Sequence, residues 1–137
     1  MSGRISLEVI TPGKIELKTQ ADYVVAPTID GMVGILPGHI RLITLLATGV
    51  LRYQADGAEH YLAVSEGFME VTPTKVIVLA EAAELGENVD VEQALAEKRK
   101  AEEDLIRSLN GVFDFSKAQI ELEHALAKIT VAKKSHR

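Results

Sequence analysis

An α+β chain is predicted, with an antiparallel β-sandwich or flattened barrel over residues 1–87 and an antiparallel two-helix hairpin over residues 88–137. Three observations predict it. Nine of the ten glycines and all four prolines lie in residues 1–87, and only Gly111 lies beyond. Apolar residues recur with a period near two in the first part. In the second they recur at steps of three and four.

Taken in order, Ile5, Leu7 and Val9 alternate with Ser6 and Glu8 until Thr11-Pro12-Gly13 ends the run. Ile15 and Leu17 follow, then Tyr23-Val24-Val25-Ala26, which the sequence predicts to stop at Pro27. Gly31, Gly34 and Gly38 read as tight turns and a bulge between strands. Val50–Tyr53 and Tyr61–Val64 flank Ala55-Asp56-Gly57-Ala58, whose Asp-Gly pair tolerates positive φ and marks a hairpin. A second hairpin is expected where Thr72-Pro73-Thr74-Lys75 separates Phe68–Val71 from Val76–Leu79. Short strands at this spacing suit a compact sandwich.

The helical part opens at Asp90 and Gln93, the pattern of a capping box. Val91, Ala94, Leu95, Ala101, Leu105 and Leu109 mark one face of a first helix, which Asn110-Gly111 should stop. Asp114 or Ser116 can cap a second helix, with Phe115, Ala118, Leu122, Ala125, Leu126, Ile129 and Ala132 on its apolar face. The short connection favours antiparallel neighbours. Alanine lets two axes approach closely but buries little area, so this hairpin should be held modestly and be able to move.

Composition narrows the chemistry. Fifteen basic and twenty acidic side chains give a net charge of −5, which argues against general nucleic-acid binding. The absence of cysteine excludes disulfides, thiolate metal sites and a cysteine nucleophile. Aromatic content of 4% without Trp argues against stacking platforms. No apolar run approaches the roughly 18 residues that span a bilayer. Met1-Ser2-Gly3-Arg4 leads into an alternating segment unlike a signal or transit peptide, so a soluble, intracellular protein is expected. Residues 124–137 hold four basic groups (Lys128, Lys133, Lys134 and Arg137) and no acid, a cationic helix end suited to the helix dipole or to an acidic partner.

Catalytic constellations are not evident. Ser65 in Ala63-Val64-Ser65-Glu66-Gly67 lacks the first glycine of a nucleophile elbow. His39, His60, His124 and His136 are scattered without a ligand-type partner at helical spacing, so no metal site is expected. Glu121 shares a helix face with His124, which predicts an ordinary surface ion pair. No Lys-Ser or Lys-Thr follows the Gly31–Gly38 stretch, so a phosphate loop is not expected. The chain should not be an enzyme on its own.

At Gly34-Ile35-Leu36-Pro37-Gly38-His39 the sequence resembles the epsilon subunit family of bacterial F-type ATP synthases, counterparts of the mitochondrial delta subunit. The resemblance extends in order through Leu7–Pro12, Gly49-Val50-Leu51, Ser65–Val71, Val78–Glu84 and the alanine-rich hairpin. It implies about ten strands before the helices and a place in the rotor. Residues 1–87 would bind the gamma subunit and the ring of c subunits, peripheral to the cytoplasmic face of the bacterial plasma membrane. The loop from Asp30 to Arg41 is the candidate ring-facing edge, with Gly31, Met32, Pro37, His39 and Arg41 its contact residues. Many relatives carry an acid where Met32 stands. Residues 88–137 would be regulatory, inhibiting ATP hydrolysis when extended into the alpha/beta catalytic head, with Lys128, Lys133 and Lys134 docking on beta.

Some family members bind ATP on the folded hairpin through an Ile/Leu-Asp-x-x-Arg-Ala motif. Here Asp90 and Ala94 match it, Gln93 replaces the arginine, and His124 and Lys128 stand where helix-two arginines would lie. Glu84 and Arg99 complete the candidate set. Losing these charged forks removes charge-assisted hydrogen bonds to phosphate, so weak or no ATP binding is expected and no cofactor is required. The alternatives are an ATP-sensing module of the same complex and an unrelated sandwich-plus-hairpin adaptor.

Overall fold

The computed structural model describes residues 3–135. His136 and Arg137, read above as a scattered histidine and part of the cationic end, lie outside the described residues, as do Met1 and Ser2. The strands are β1 (Ile5–Thr11), β2 (Lys14–Ala21), β3 (Tyr23–Thr28), β4 (Gly31–Ile35), β5 (Leu42–Leu46), β6 (Gly49–Ala55), β7 (Ala58–Val64), β8 (Gly67–Val71), β9 (Lys75–Ala80) and β10 (Ala83–Leu85). A single 3-10 turn, Gly86–Asn88, leads into α1 (Val91–Ser108) and α2 (Phe115–Ser135).

Ten strands run in the order β10-β7-β6-β3-β5-β8-β9-β1-β2, with β4 on the other edge of β3. β3 is the shared strand: Tyr23–Val25 pair with β6, and Thr28 pairs with Leu46 of β5. It therefore joins a first layer, β4-β3-β6-β7-β10, to a second, β5-β8-β9-β1-β2. The strand does not stop at Pro27, as the sequence suggested. Pro27 sits at the handover between β6 and β5, where no ladder donor is required of it, and its carbonyl accepts from the Ala47 amide at 2.9 Å. Among the described residues eight strand pairings are antiparallel and one, β1 with β9, is parallel.

Alternation places the core between the layers. Ile5, Leu7 and Val9 of β1, Leu51 and Tyr53 of β6, Leu62 and Val64 of β7, Met69 and Val71 of β8, and Val76 and Val78 of β9 form one buried cluster. The Asp56-Gly57 hairpin is as expected, both residues adopting positive φ (54° and 79°). At the second hairpin, the Thr72 and Lys75 main chains exchange hydrogen bonds. β4 arises where the sequence suggested tight turns and a bulge: Gly31 turns at φ 108° while Met32–Ile35 pair along β3.

The helices start and stop where expected. Asp90 Oδ1 accepts from the Gln93 amide at 3.1 Å, and Asp114 Oδ1 accepts from the Lys117 amide at 3.2 Å. Gly111, at φ 74°, closes α1, and the Val112 amide returns to the Arg107 carbonyl. The buried face of α1 differs from expectation. Ala94, Ala101 and Asp104 are buried, whereas Val91, Leu95 and Leu109 are exposed. Asp104 is met by Lys100 at 3.1 Å and Arg107 at 3.8 Å from its own helix, so its burial leaves no unpaired charge.

At Gly67 the packing is closest: an added Cβ would overlap the Leu79 carbonyl oxygen on β9. At Gly13 the same atom would meet open space. G67A should lower unfolding free energy by about 2 kcal/mol or more, the scale of overpacking against rigid backbone. G13A should stay within about 0.5 kcal/mol. Urea unfolding of both variants checks this.

Candidate functional site

Three surfaces stand out, each built by a different consequence of strand alternation. On the first layer, the residues pointing away from the core are Val50, Tyr61 and Ala63. They receive Ala127, Ile129, Val131 and Ala132 of α2, with Val89 ahead of α1 and Ala94 on α1 completing the cluster. This joint is made largely of alanine and valine. Each buried methyl or methylene contributes about 0.8 kcal/mol, against about 1.5–3 for a whole leucine, so the hairpin is held much less firmly than the sandwich is closed.

Polar contacts bind the same joint. Lys128 of α2 places Nζ 3.0 Å from Glu97 Oε1 of α1 and 4.0 Å from Glu84 Oε2 of β10, with a side chain only 13% exposed. One cation thus ties both helices to the sandwich. One turn before it, His124 is half-buried, and its Nδ1 is buried without a hydrogen-bond partner. The surface pair expected with Glu121 is not formed, because the ring turns into the joint instead of toward water. Burial above all, and then the Lys128 ammonium, lower the His124 pKa from its ordinary value; Glu97 and the Val64 main chain oppose that shift.

At the end of the joint, Gly86 is buried against the last turn of α2. A Cβ there would overlap Ser135 Oγ and come 2.6 Å from the Val131 carbonyl oxygen. Lys134 Nζ lies 5.4 Å from the centre of the Tyr61 ring, a cation–π contact. Lys133 is exposed. Nearby on the first layer, Glu59 accepts from the Tyr23 hydroxyl and from Arg52 Nη1 at 3.2 Å. The hydrogen bond to Glu59 raises the Tyr23 pKa, with desolvation adding to it, while burial is the main cause of the raised Tyr53 pKa.

The outer face of the second layer carries an apolar row left exposed by the described residues. Register aligns Leu45, Phe68, Leu79, Ile10 and Ile15 in one row across five strands. Phe68 is 56% exposed. Beside it Ile43, Glu70, Ile77, Glu8 and Lys18 form the next row. A contiguous apolar face of this kind marks a partner surface. Sequence reasoning missed it, although Val76-Ile77-Val78-Leu79 carried the signal: a strand apolar at both parities is one that both faces of its sheet must bury.

The third surface is the segment 29–41, expected as a loop and in fact half strand through β4. Its irregular part, 36–41, is tied down where the Gly38 amide donates to the Pro73 carbonyl at 2.8 Å and the His39 amide to Leu36 at 3.1 Å. Gly31, Met32 and Arg41 are exposed, and Pro37 and His39 partly so. They are interleaved with Ile29, Leu36 and Ile40, also exposed, which the sequence reading did not single out. Together these make an apolar rim.

The nucleotide candidates do not converge on a phosphate cradle. Asp90 is occupied as the α1 cap, Ala94 is buried in the joint, Arg99 is exposed, and Glu84 answers Lys128. With Glu84, Glu97 and Glu121 beside two lysines, Lys100 and Lys128, that are already paired with carboxylates, and a half-buried His124, the donor set does not fit a triphosphate. Among the described residues there is no group of three side chains able to hold a metal ion, and no helix long and apolar enough to cross a membrane.

Comparison with known proteins gives a consistent result along the chain. Residues 4–86 match the family model described as ATP synthase, Delta/Epsilon chain, beta-sandwich domain. Residues 87–133 match the long alpha-helix domain of the same family. An ATP synthase epsilon chain of Nitratidesulfovibrio vulgaris is 44% identical over 131 residues, covering 96% of this chain and 97% of that protein. One of Carboxydothermus hydrogenoformans is 48% identical over 107 residues, covering 78% and 80%. A chain of the Euglena gracilis mitochondrial ATP synthase, in a structure of OSCP, F1 and c-ring, shares the fold at TM-score 0.76 and 20% identity, covering 98% of this chain and 82% of that one.

Gly86→Val should lift α2 from the first layer without opening the core. Hydrogen exchange across 115–135 should speed by at least about tenfold, equivalent to about 1.4 kcal/mol, while β1, β8 and β9 keep their protection. Mass-spectrometric exchange with peptide resolution checks both halves of that expectation.

Proposed function

Because this chain belongs to the delta/epsilon family of ATP synthase subunits, we propose that it is the non-catalytic central-stalk subunit of a proton-translocating F-type ATP synthase. It passes rotation of the membrane ring to the gamma subunit and the catalytic head. The observation that carries this reading is the family match over both the sandwich and the helices, and the uncovered apolar surfaces supply the means. The Leu45–Phe68–Leu79–Ile10–Ile15 row suits gamma: it spans five strands and stands on a closely packed core, so a load applied to it is borne by the whole sandwich.

The rim of Ile29, Met32, Leu36 and Ile40, with Gly31, Pro37, His39 and Arg41 among and beside them, suits the ring of c subunits. Its anchorage to the β8–β9 turn makes it a firm contact. The division of labour we propose is a sandwich, residues 1–87, that transmits torque and a hairpin, residues 88–137, that regulates. The chain sits peripherally at the cytoplasmic face of the bacterial plasma membrane through the complex. It needs no cofactor.

Inhibition of hydrolysis follows from the weak joint. In the folded position Lys128 is engaged by Glu97 and Glu84. Release of the hairpin frees it to act with Lys133 and Lys134 as a cationic stripe toward an acidic surface of the alpha/beta head. Whichever partner prefers one position of the hairpin draws the population toward it.

Two experiments test this. In the assembled complex, a chain ending at Glu87 should raise ATP hydrolysis while proton pumping stays coupled; unchanged hydrolysis would remove the hairpin as a brake. Phe68→Asp with Leu79→Asp should weaken recovery of the chain with gamma by about 2 kcal/mol or more, because a charge cannot be buried at a dry contact. Retained binding would place gamma elsewhere.

A further inference from the structure

Deepening the reading of a movable hairpin, and resting on it, we propose that the folded position is proton-sensitive through His124. The imidazole enters the joint between α2 and the first layer uncharged, and its protonation favours release of the hairpin.

The geometry comes first. His124 is half-buried, its Nδ1 is buried without a partner, and Lys128 stands one helical turn later. From α1 the charged groups lining the same cleft are Glu97 and Lys100, and from α2 itself Glu121 and Lys128. β7 presents Val64 through its main chain, and β10 presents Glu84, which is turned to Lys128. Glu97, the carboxylate whose charge opposes that of Lys128 on the ring, is already committed to Lys128 at 3.0 Å. A proton on His124 therefore adds a second cation beside an ammonium that is only 13% exposed, in a place with little water to screen the pair.

The direction follows from linkage. Burial, and next the Lys128 ammonium, depress the His124 pKa in the folded position below 6.5. With α2 released the imidazole regains water and its ordinary pKa, so the open hairpin takes up the proton more readily. The folded position holds its full advantage above about pH 6.5. It loses that advantage as pH falls through the depressed value. Uptake of a single proton limits the gain in the open-to-folded ratio to about tenfold per pH unit.

Because the sequence has no cysteine, Thr74→Cys with Asn110→Cys introduces one label on the β8–β9 turn and one at the hairpin tip, both exposed positions. Spin-label distances in the full chain are compared between about pH 8 and about pH 5.5, a range spanning ordinary imidazole titration. The open population should grow on acidification, and His124→Gln, uncharged throughout, should lose that response. An equal response with and without His124, or no response in the parent chain, overturns the proposal. Gly86→Val in the same labelled background separates the two levels. If it opens the hairpin while the parent is insensitive to pH, the proton switch fails and the movable hairpin stands; if neither opens, both fall.

Discussion

What each face of one β-layer packs against, a second β-layer on one side and the small side chains of α2 on the other, decides how this protein is put together. Facing inward, β6 and β7 supply Leu51, Tyr53, Leu62 and Val64 to the core, whereas Val50, Tyr61 and Ala63 face α2. The same strands thus take part in a contact that closes the sandwich and in one that lightly seats the hairpin. Evolution need not have built a separate hinge domain for this. Alternation along two strands gives one face to permanence and the other to exchange.

The polar contacts at the joint respect the same economy. Lys128 is covered by the hairpin's own geometry and answered from α1 and β10, so folding the hairpin buries a charge only where partners already wait. Gly86 performs a comparable task by omission, leaving room for Val131 and Ser135 to come close. In contrast, the described residues leave the face containing Phe68 and the rim containing Ile40 exposed. Under the proposed function, neighbours in the complex cover them.

Much of this was legible beforehand, and for local reasons. Leu7 and Val9 announced a half-buried strand, Asp56-Gly57 a tight hairpin, and Asp90 a helix start, because each effect acts over a few residues. What the sequence did not disclose depended on tertiary context. Pro27 looked like a stop but lies at the point where β3 changes partners. Gly31 and Gly34 hid β4, whose pairing is supplied by β3. Leu109 fitted the apolar period of α1 yet lies exposed at the hairpin tip, and His124 looked like a surface residue until α2 was placed against the sandwich. Periodicity reports which side of an element is apolar; Val76–Leu79, apolar at both parities, signals a second buried face, but the row across five strands emerges only from strand register.

The parallel pairing of β1 with β9 has a consequence for how the molecule is made. Ser6 is registered with Lys75, so the first strand synthesised lacks its inner neighbour until most of the sandwich has left the ribosome. Until then β2 is the one ladder neighbour β1 can have. Such a long-range closure is entropically slow and comes late in folding. The seat for α2 needs β7 and β10, both complete before the helices emerge. Chain order alone therefore presents the helices with a finished platform, and the nascent hairpin's first encounter is with the sandwich of its own chain.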